Sequence, residues 1–164
     1  MTLISLAGIM LLTVVLGPAP AALGQPVIFL IRHAEQTPDQ EPVLTEAGQR
    51  RAARLARQLK DAGISAIYVT DAVRTRETAA PVAQALGITP RVVGRQDIEG
   101  LAARVRAEHP QGRVLIVNHA LNIAGLLRAF GHPEGVPVAV NDYEPLLVIV
   151  PRPDGPPTVI FLRQ

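Results

Sequence analysis

Val27-Ile28-Phe29-Leu30-Ile31-Arg32-His33-Ala34-Glu35 is an apolar run that ends abruptly in a guanidinium and an imidazole. Rich in β-branched residues, it reads as a buried strand. Open α/β sheets concentrate their chemistry where a strand ends and its loop begins. Arg32 and His33 at such an edge make an anion site with a nucleophile in it, or a polar strand end that meets only solvent or a carboxylate. The tetrapeptide alone fits both.

Outward from this run the chain alternates between strands and helices. Strands are expected at Val27–Arg32, Ala66–Thr70, Arg91–Val93, Arg113–Asn118, Leu146–Val150 and Thr158–Leu162, and helices at Glu46–Ala62, Ala72–Leu86, Ile98–Glu108 and Leu121–Phe130. Such alternation predicts an α/β fold, a three-layer α/β/α sandwich whose central sheet is mainly parallel. The proline-rich stretch from Pro145 to Pro157 predicts a turn joining two terminal strands in a hairpin.

The first helix shows its logic plainly. Thr45 is a natural N-cap, and Glu46 faces the positive end of the dipole. Ala52, Leu55, Ala56 and Leu59 form a core stripe, while Arg50, Arg51, Arg54, Arg57 and Lys60 read as a solvated face. Gly63 suits the position just past the helix. In the second helix, Pro81 predicts a kink or a restart, since it lacks a donor and clashes with the preceding turn.

The 164 residues fit one domain, with only 3% aromatic residues, no Trp and a formal charge of +2. Nucleic-acid binding by basic patches interleaved with stacking aromatics is therefore not expected. Residues 1–24 carry no charged side chain; an apolar run from Leu3 to Leu16 precedes the small-residue zone Gly17–Gly24. That is the pattern of an export signal, and the run is short for a span of about 20 residues. The expected organisation is a signal peptide or N-terminal anchor over 1–24 and one domain over 25–164, with the product exported to a periplasmic or secreted location. A membrane association is expected only if the segment stays uncleaved.

Three strands end in residues suited to phosphate. The first leads to Arg32-His33, the second to Asp71-Ala72-Val73-Arg74-Thr75-Arg76-Glu77-Thr78, and the fourth to Asn118-His119 before a helix. In a parallel sheet these ends share one edge, so His33, Arg74 and His119 converge. Arginine offers paired planar donors and a permanent charge, and a helix N-terminus adds backbone donors. Of two histidines, one can act as a neutral nucleophile while the other, protonated, donates to a phosphate oxygen.

These residues carry a family resemblance. Arg32-His33-Ala34-Glu35 resembles the Arg-His-Gly-Glu signature of the histidine phosphatase superfamily, also called phosphoglycerate mutase-like. Leu44-Thr45-Glu46-Ala47-Gly48 is similar to its Leu-Thr-x-x-Gly segment, and Arg74-Thr75-Arg76-Glu77-Thr78-Ala79 to its Arg-Thr/Ala-x-Gln/Glu-Thr-Ala segment. Val114–His119 resembles the strand that ends in the second essential histidine.

The resemblance implies a phosphoglycerate mutase-like fold and a phosphatase that works through phosphohistidine. His33 would be the nucleophile; Arg32, Arg74 and His119 would hold the phosphate oxygens and stabilise transition-state charge. No metal and no cofactor are implied, and the partner is a phosphorylated small molecule or phosphoprotein. The other readings are a phosphomutase of the same family and a non-catalytic phosphoryl-binding envelope domain.

Two residues depart from the family pattern. Ala34 stands for Gly, which matters only if the backbone needs positive φ. Asn118 stands for Gly or Ser, ending the strand or adding an amide donor near the phosphate. The segment Gly87–Gly94 is short, so the insertion that often supplies the general acid is missing. Glu35, Asp97 and Asp142 are the candidate acids, with an N-cap as the plainer role for Asp97 and a turn for Asp142. His109 and His132, each beside a proline, read as surface or turn residues.

Overall fold

The computed structural model describes residues 24–164. The segment read as an export signal therefore lies outside the described residues, apart from Gly24. Six strands and four helices follow in the order β1 (Val27–Arg32), α1 (Glu46–Leu59), β2 (Ala66–Thr70), α2 (Val73–Leu86), β3 (Arg91–Val93), α3 (Ile98–Glu108), β4 (Arg113–Asn118), α4 (Ala120–Ala129), β5 (Pro145–Val150) and β6 (Thr158–Arg163). The sheet order is β3-β2-β4-β1-β5-β6. β3, β2, β4 and β1 run parallel, whereas β5 and β6 form the antiparallel C-terminal hairpin.

Strand residues alternate between two cores, which makes three layers. Ile28, Leu30, Tyr68, Val114 and Ile116 pack with Leu101, Val105, Ile123 and Leu127 of α3 and α4. Ile31, Ile67, Val69, Leu115 and Val117 pack with Leu55, Leu59, Val82 and Ala83 of α1 and α2. The two-residue period of a strand sends neighbours to opposite faces, so each central strand needs apolar residues at consecutive positions. That is the physical content of the unbroken run after Pro26.

Most helix boundaries follow their sequence signals. Thr45 Oγ1 accepts from the Gly48 amide at 3.2 Å. α1 ends at Leu59, a turn earlier than its pattern suggests, with Gly63 at φ +67° reversing the chain. Pro81 neither stops nor restarts α2, which runs unbroken to Leu86. Ala79 and Val82, buried on either side of it, hold both halves against the sheet. Tertiary burial here outweighs the lost backbone bond. Arg51 leaves the solvated face assigned to it, because its guanidinium turns inward to Glu35.

Candidate functional site

β1, β4 and β2 are neighbours and parallel, so the loops after them open onto one edge. Each loop delivers one residue of the expected set: His33 follows β1, Arg74 lies in the first turn of α2, and His119 precedes α4. Arg32, His33, Arg74 and His119 line one cavity of about 340 Å³ together with Gln36, Arg95, Asn122 and Val140. The His33 and His119 rings meet at an angle of 63°, their centroids 5.4 Å apart.

The loop that carries His33 is held from three sides. The His33 amide donates to the Asn118 carbonyl at 2.9 Å, extending the β1–β4 register by one residue. The Ala34 amide donates to Thr78 Oγ1 at 2.9 Å, and Thr78 donates to the Arg74 carbonyl at 2.6 Å. Glu77 Oε2 accepts from the Leu44 amide at 2.7 Å. The Arg-Thr-x-Glu-Thr segment is thus a clamp: one face presents Arg74 to the cavity and the other fixes the loop beside it. Ala34 is buried, and no non-glycine residue described here has positive φ, so the alanine fits without backbone strain.

Hydrogen bonding defines the state of His33. Its Nδ1 lies 2.9 Å from the Ala34 carbonyl, which can only accept, so Nδ1 carries the proton and Nε2 keeps its lone pair. Burial pushes its pKa down to about 4, with Arg32, Arg74 and Arg95 acting the same way against the Ala34 bond. Burial likewise pushes His119 down to about 3, helped by Arg74, His33 and Arg95. Both rings are neutral near pH 7.

The cations divide into anchored and available ones. Arg32 Nη1 donates to the carbonyl of Val140 and, at 3.3 Å, to that of Asp142, and its guanidinium stacks 3.7 Å above the Tyr143 ring. It therefore secures the loop before β5 as well as lining the cavity. Nε of Arg32 and Nε of Arg74 are buried without partners. Burial lowers the pKa of Arg74, and Arg95 and Arg32 lower it further: like charges crowd this edge.

Arg95 is the principal residue the sequence reading missed. It follows β3 at the same carboxyl edge, so the reasoning applied to the other strand ends would have found it. Its backbone is tethered by Asn122, whose Nδ2 donates to the Arg95 carbonyl at 2.7 Å and to Asn118 Oδ1 at 2.9 Å. Asn118 Oδ1 also accepts from the His119 amide at 2.8 Å. The Asn118 side chain thus joins the end of β4, the start of α4 and the Arg95 loop. Tyr143 is the second missed residue, revealed by its packing on Arg32 and by its ring's edge-on approach to His33, centroids 6.1 Å apart.

The candidate acids have other employment. Arg51 grips the Glu35 carboxylate through Nε at 3.0 Å and Nη2 at 2.7 Å, holding it below the usual carboxylate range despite burial, which raises it. Asp97 caps α3 through the Gly100 amide at 3.0 Å. Asp142 Oδ1 accepts from the Glu144 amide at 3.1 Å. None of the three lines the cavity with the histidines. His132 sits in a turn beside Glu134, but His109 is more than a surface residue: it packs edge-on against the buried Tyr68 ring, its Nε2 3.2 Å from the tyrosine hydroxyl.

Two histidines and three arginines thus meet at the carboxyl edge of a mainly parallel sheet in an α/β domain. Residues 28–96 match the family model of the histidine phosphatase superfamily (branch 1). The match takes in His33, Arg74 and Arg95 and ends before β4 and His119.

Among solved structures the chain resembles the protein histidine phosphatase SixA complexed with tungstate, with a TM-score of 0.70 and 18% identity, covering 84% of this chain and 96% of that one. It also resembles phosphoserine phosphatase from Entamoeba histolytica in complex with phosphoserine, with a TM-score of 0.65 and 13% identity over 84% and 97% of the two chains. A third is mycobacterial glucosyl-3-phosphoglycerate phosphatase with inorganic phosphate: TM-score 0.62, 16% identity, 82% and 94% covered. No curated protein matches the chain by sequence.

Proposed function

We propose that this chain is a phosphomonoesterase that works through a phosphohistidine on His33 and needs no metal. The observation that carries the reading is the bond from His33 Nδ1 to the Ala34 carbonyl, in a cavity shared with Arg74, Arg95 and His119. It leaves Nε2 as a neutral nucleophile. Nε2 attacks phosphorus and the bond to the leaving oxygen or nitrogen breaks. Water then attacks phosphorus, the P–N bond breaks, and phosphate leaves. Arg32, Arg74 and His119 hold the equatorial oxygens through both steps.

The leaving group sets the substrate class within this reading. No Asp or Glu lines the cavity, and Glu35, Asp97 and Asp142 are committed elsewhere. Without a carboxylic acid to protonate it, the departing group must be a weak base or bring its own proton. Aryl phosphates, acyl phosphates and phosphohistidine in proteins meet that condition; simple alkyl phosphates do not.

The test is turnover of an aryl phosphate series in EDTA, with acid- and base-quench trapping of the phosphoenzyme. Base-stable label should appear in the wild type and vanish in His33→Ala. Full activity in that variant, or strict metal dependence, overturns the reading. A rate indifferent to the leaving group's pKa, with chemistry limiting, overturns the substrate class alone.

A further inference from the structure

We propose that Thr70 and Thr75 are positioning residues: a one-way chain of hydroxyls that sets His119 as the Nε2–H tautomer and reserves its Nδ1 for the phosphoryl group. Both threonines are fully buried, Thr70 at the end of β2 and Thr75 in the first turn of α2. Each contact has only one possible sense once the first is settled.

Arg74 Nη2 lies 3.3 Å from His119 Nδ1. A guanidinium has no lone pair to offer, so it donates and Nδ1 accepts. In a neutral ring the proton then resides on Nε2, which lies 3.0 Å from Thr70 Oγ1. Thr70 Oγ1 must accept it, as it does the weaker approach of the Ala72 amide at 3.4 Å. The hydroxyl proton of Thr70 is free for Thr75 Oγ1 at 3.0 Å. Thr75 donates in turn to the Ala72 carbonyl at 2.8 Å, with the Thr70 carbonyl at 3.0 Å beside it. A carbonyl cannot donate, so the chain ends there and runs in one direction.

A hydroxyl that merely closed the first turn of α2 would account for the bond from Thr75 to Ala72. It would not account for Thr70. Valine would suit a fully buried strand position at least as well, and the hydroxyl there reaches the histidine. The consequence falls on the ring. With Nε2–H held, Nδ1 is the atom beside Arg74 in the cavity; when Arg74 turns to the phosphate oxygens, Nδ1 takes the proton of a monoanionic phosphoryl group and the new Nδ1–H donates back to the oxygen that lost it. Imidazolium formed there keeps its Nε2–H bond, so charging the ring breaks no contact behind it.

The catalytic part of this inference rests on the role proposed above for His119; the tautomer does not. The experiment is nitrogen NMR of the full chain labelled with ¹⁵N-histidine at pH 7.5, with His119 assigned by its absence in His119→Gln. His119 should show a protonated Nε2 and a hydrogen-bonded, unprotonated Nδ1. In Thr70→Val the signals should move toward a mixture of tautomers. Turnover number should fall on the order of 10- to 100-fold with KM nearly constant, the scale of losing an orienting partner of a reactive histidine. Thr70→Ser should restore both signals and rate.

A wild-type ring protonated on Nδ1 overturns the proposal, and that result needs no variant to fold. So does a folded Thr70→Val with unchanged nitrogen signals and rate. Full turnover in His119→Gln would instead overturn the role given to His119 in the phosphatase reading, leaving the tautomer to be judged by the wild-type spectrum.

Discussion

Arg51 and Glu35 form a two-pronged ion pair on the flank of the cavity, with Nη2 to Oε1 at 2.7 Å and only 11% and 24% of the two side chains exposed. The pair joins α1 to the loop that carries His33. Planar guanidinium against planar carboxylate fixes orientation as well as distance, so Glu35 is expected to support the loop rather than deliver a proton. Glu35→Gln should cost about 1–3 kcal/mol of stability, the range for removing a charged partner from a part-buried bond. Turnover should fall by the same factor for good and poor leaving groups. A selective loss with poor leaving groups, read from an aryl phosphate series, would return Glu35 to the role of acid.

Gly48 is equally specific. A Cβ there would overlap the carbonyl oxygen of Glu35, with the Glu35 amide 3.1 Å away. Backbone cannot give way as a flexible side chain can, so α1 and the His33 loop must separate. Gly48→Ala should destabilise the domain by about 1–3 kcal/mol or more, the range for overpacking. It should also lower activity beyond what the unfolded fraction explains. Urea unfolding and kinetics on the folded fraction check both; a stable, fully active variant would show that the contact is not tight.

The like-charged edge predicts a measurable place for Arg95. Its charge lowers the pKa of His33, His119 and Arg74, and its side chain makes no hydrogen bond or ion pair among the described residues. Arg95→Ala should weaken vanadate binding by on the order of 1 kcal/mol, about fivefold, as suits an exposed cation. The weakening should shrink in high salt. Calorimetry at two ionic strengths would reveal an unchanged affinity if Arg95 played no part.

Acid should unfold this protein through its histidines. His33 and His119 have folded values of about 4 and 3, against about 6.5 in the unfolded chain. Their folded values are depressed, so the contribution to stability is complete above pH 6.5. Below that the unfolded state binds the extra protons, and stability falls as pH drops toward 4. His109, also lowered by burial, acts in the same sense. Melting temperature should hold nearly level from pH 8 to 7 and decline from 6.5 to 4. The double variant His33→Asn, His119→Gln should flatten the decline. An equal slope in the variant would place the acid lability elsewhere.

The residues that carry the proposed phosphate site were legible in the sequence. Arg32-His33, Arg74 and His119 stand directly after strands, and one rule, that parallel strands share a carboxyl edge, brings them together without coordinates. Thr45 and the α1 stripe were legible for the same reason: capping and helical period are properties of neighbours in the chain. The restart that Pro81 allowed does not occur, because burial of Ala79 and Val82 on either side holds the helix together across it.

Tertiary structure alone decided what surrounds His33. Arg51 meets Glu35 across 16 positions, Thr70 meets His119 across 49, and Arg32 meets the Val140 carbonyl across 108. These partnerships depend on strand order, register and the rotation of each helix on the sheet, which no local period encodes. Sequence by itself determined the elements, their order and the residues that project from their ends. Folding decided which of those residues are neutral, which are anchored and which remain free for an anion, because burial and hydrogen-bond partners exist only once distant segments meet.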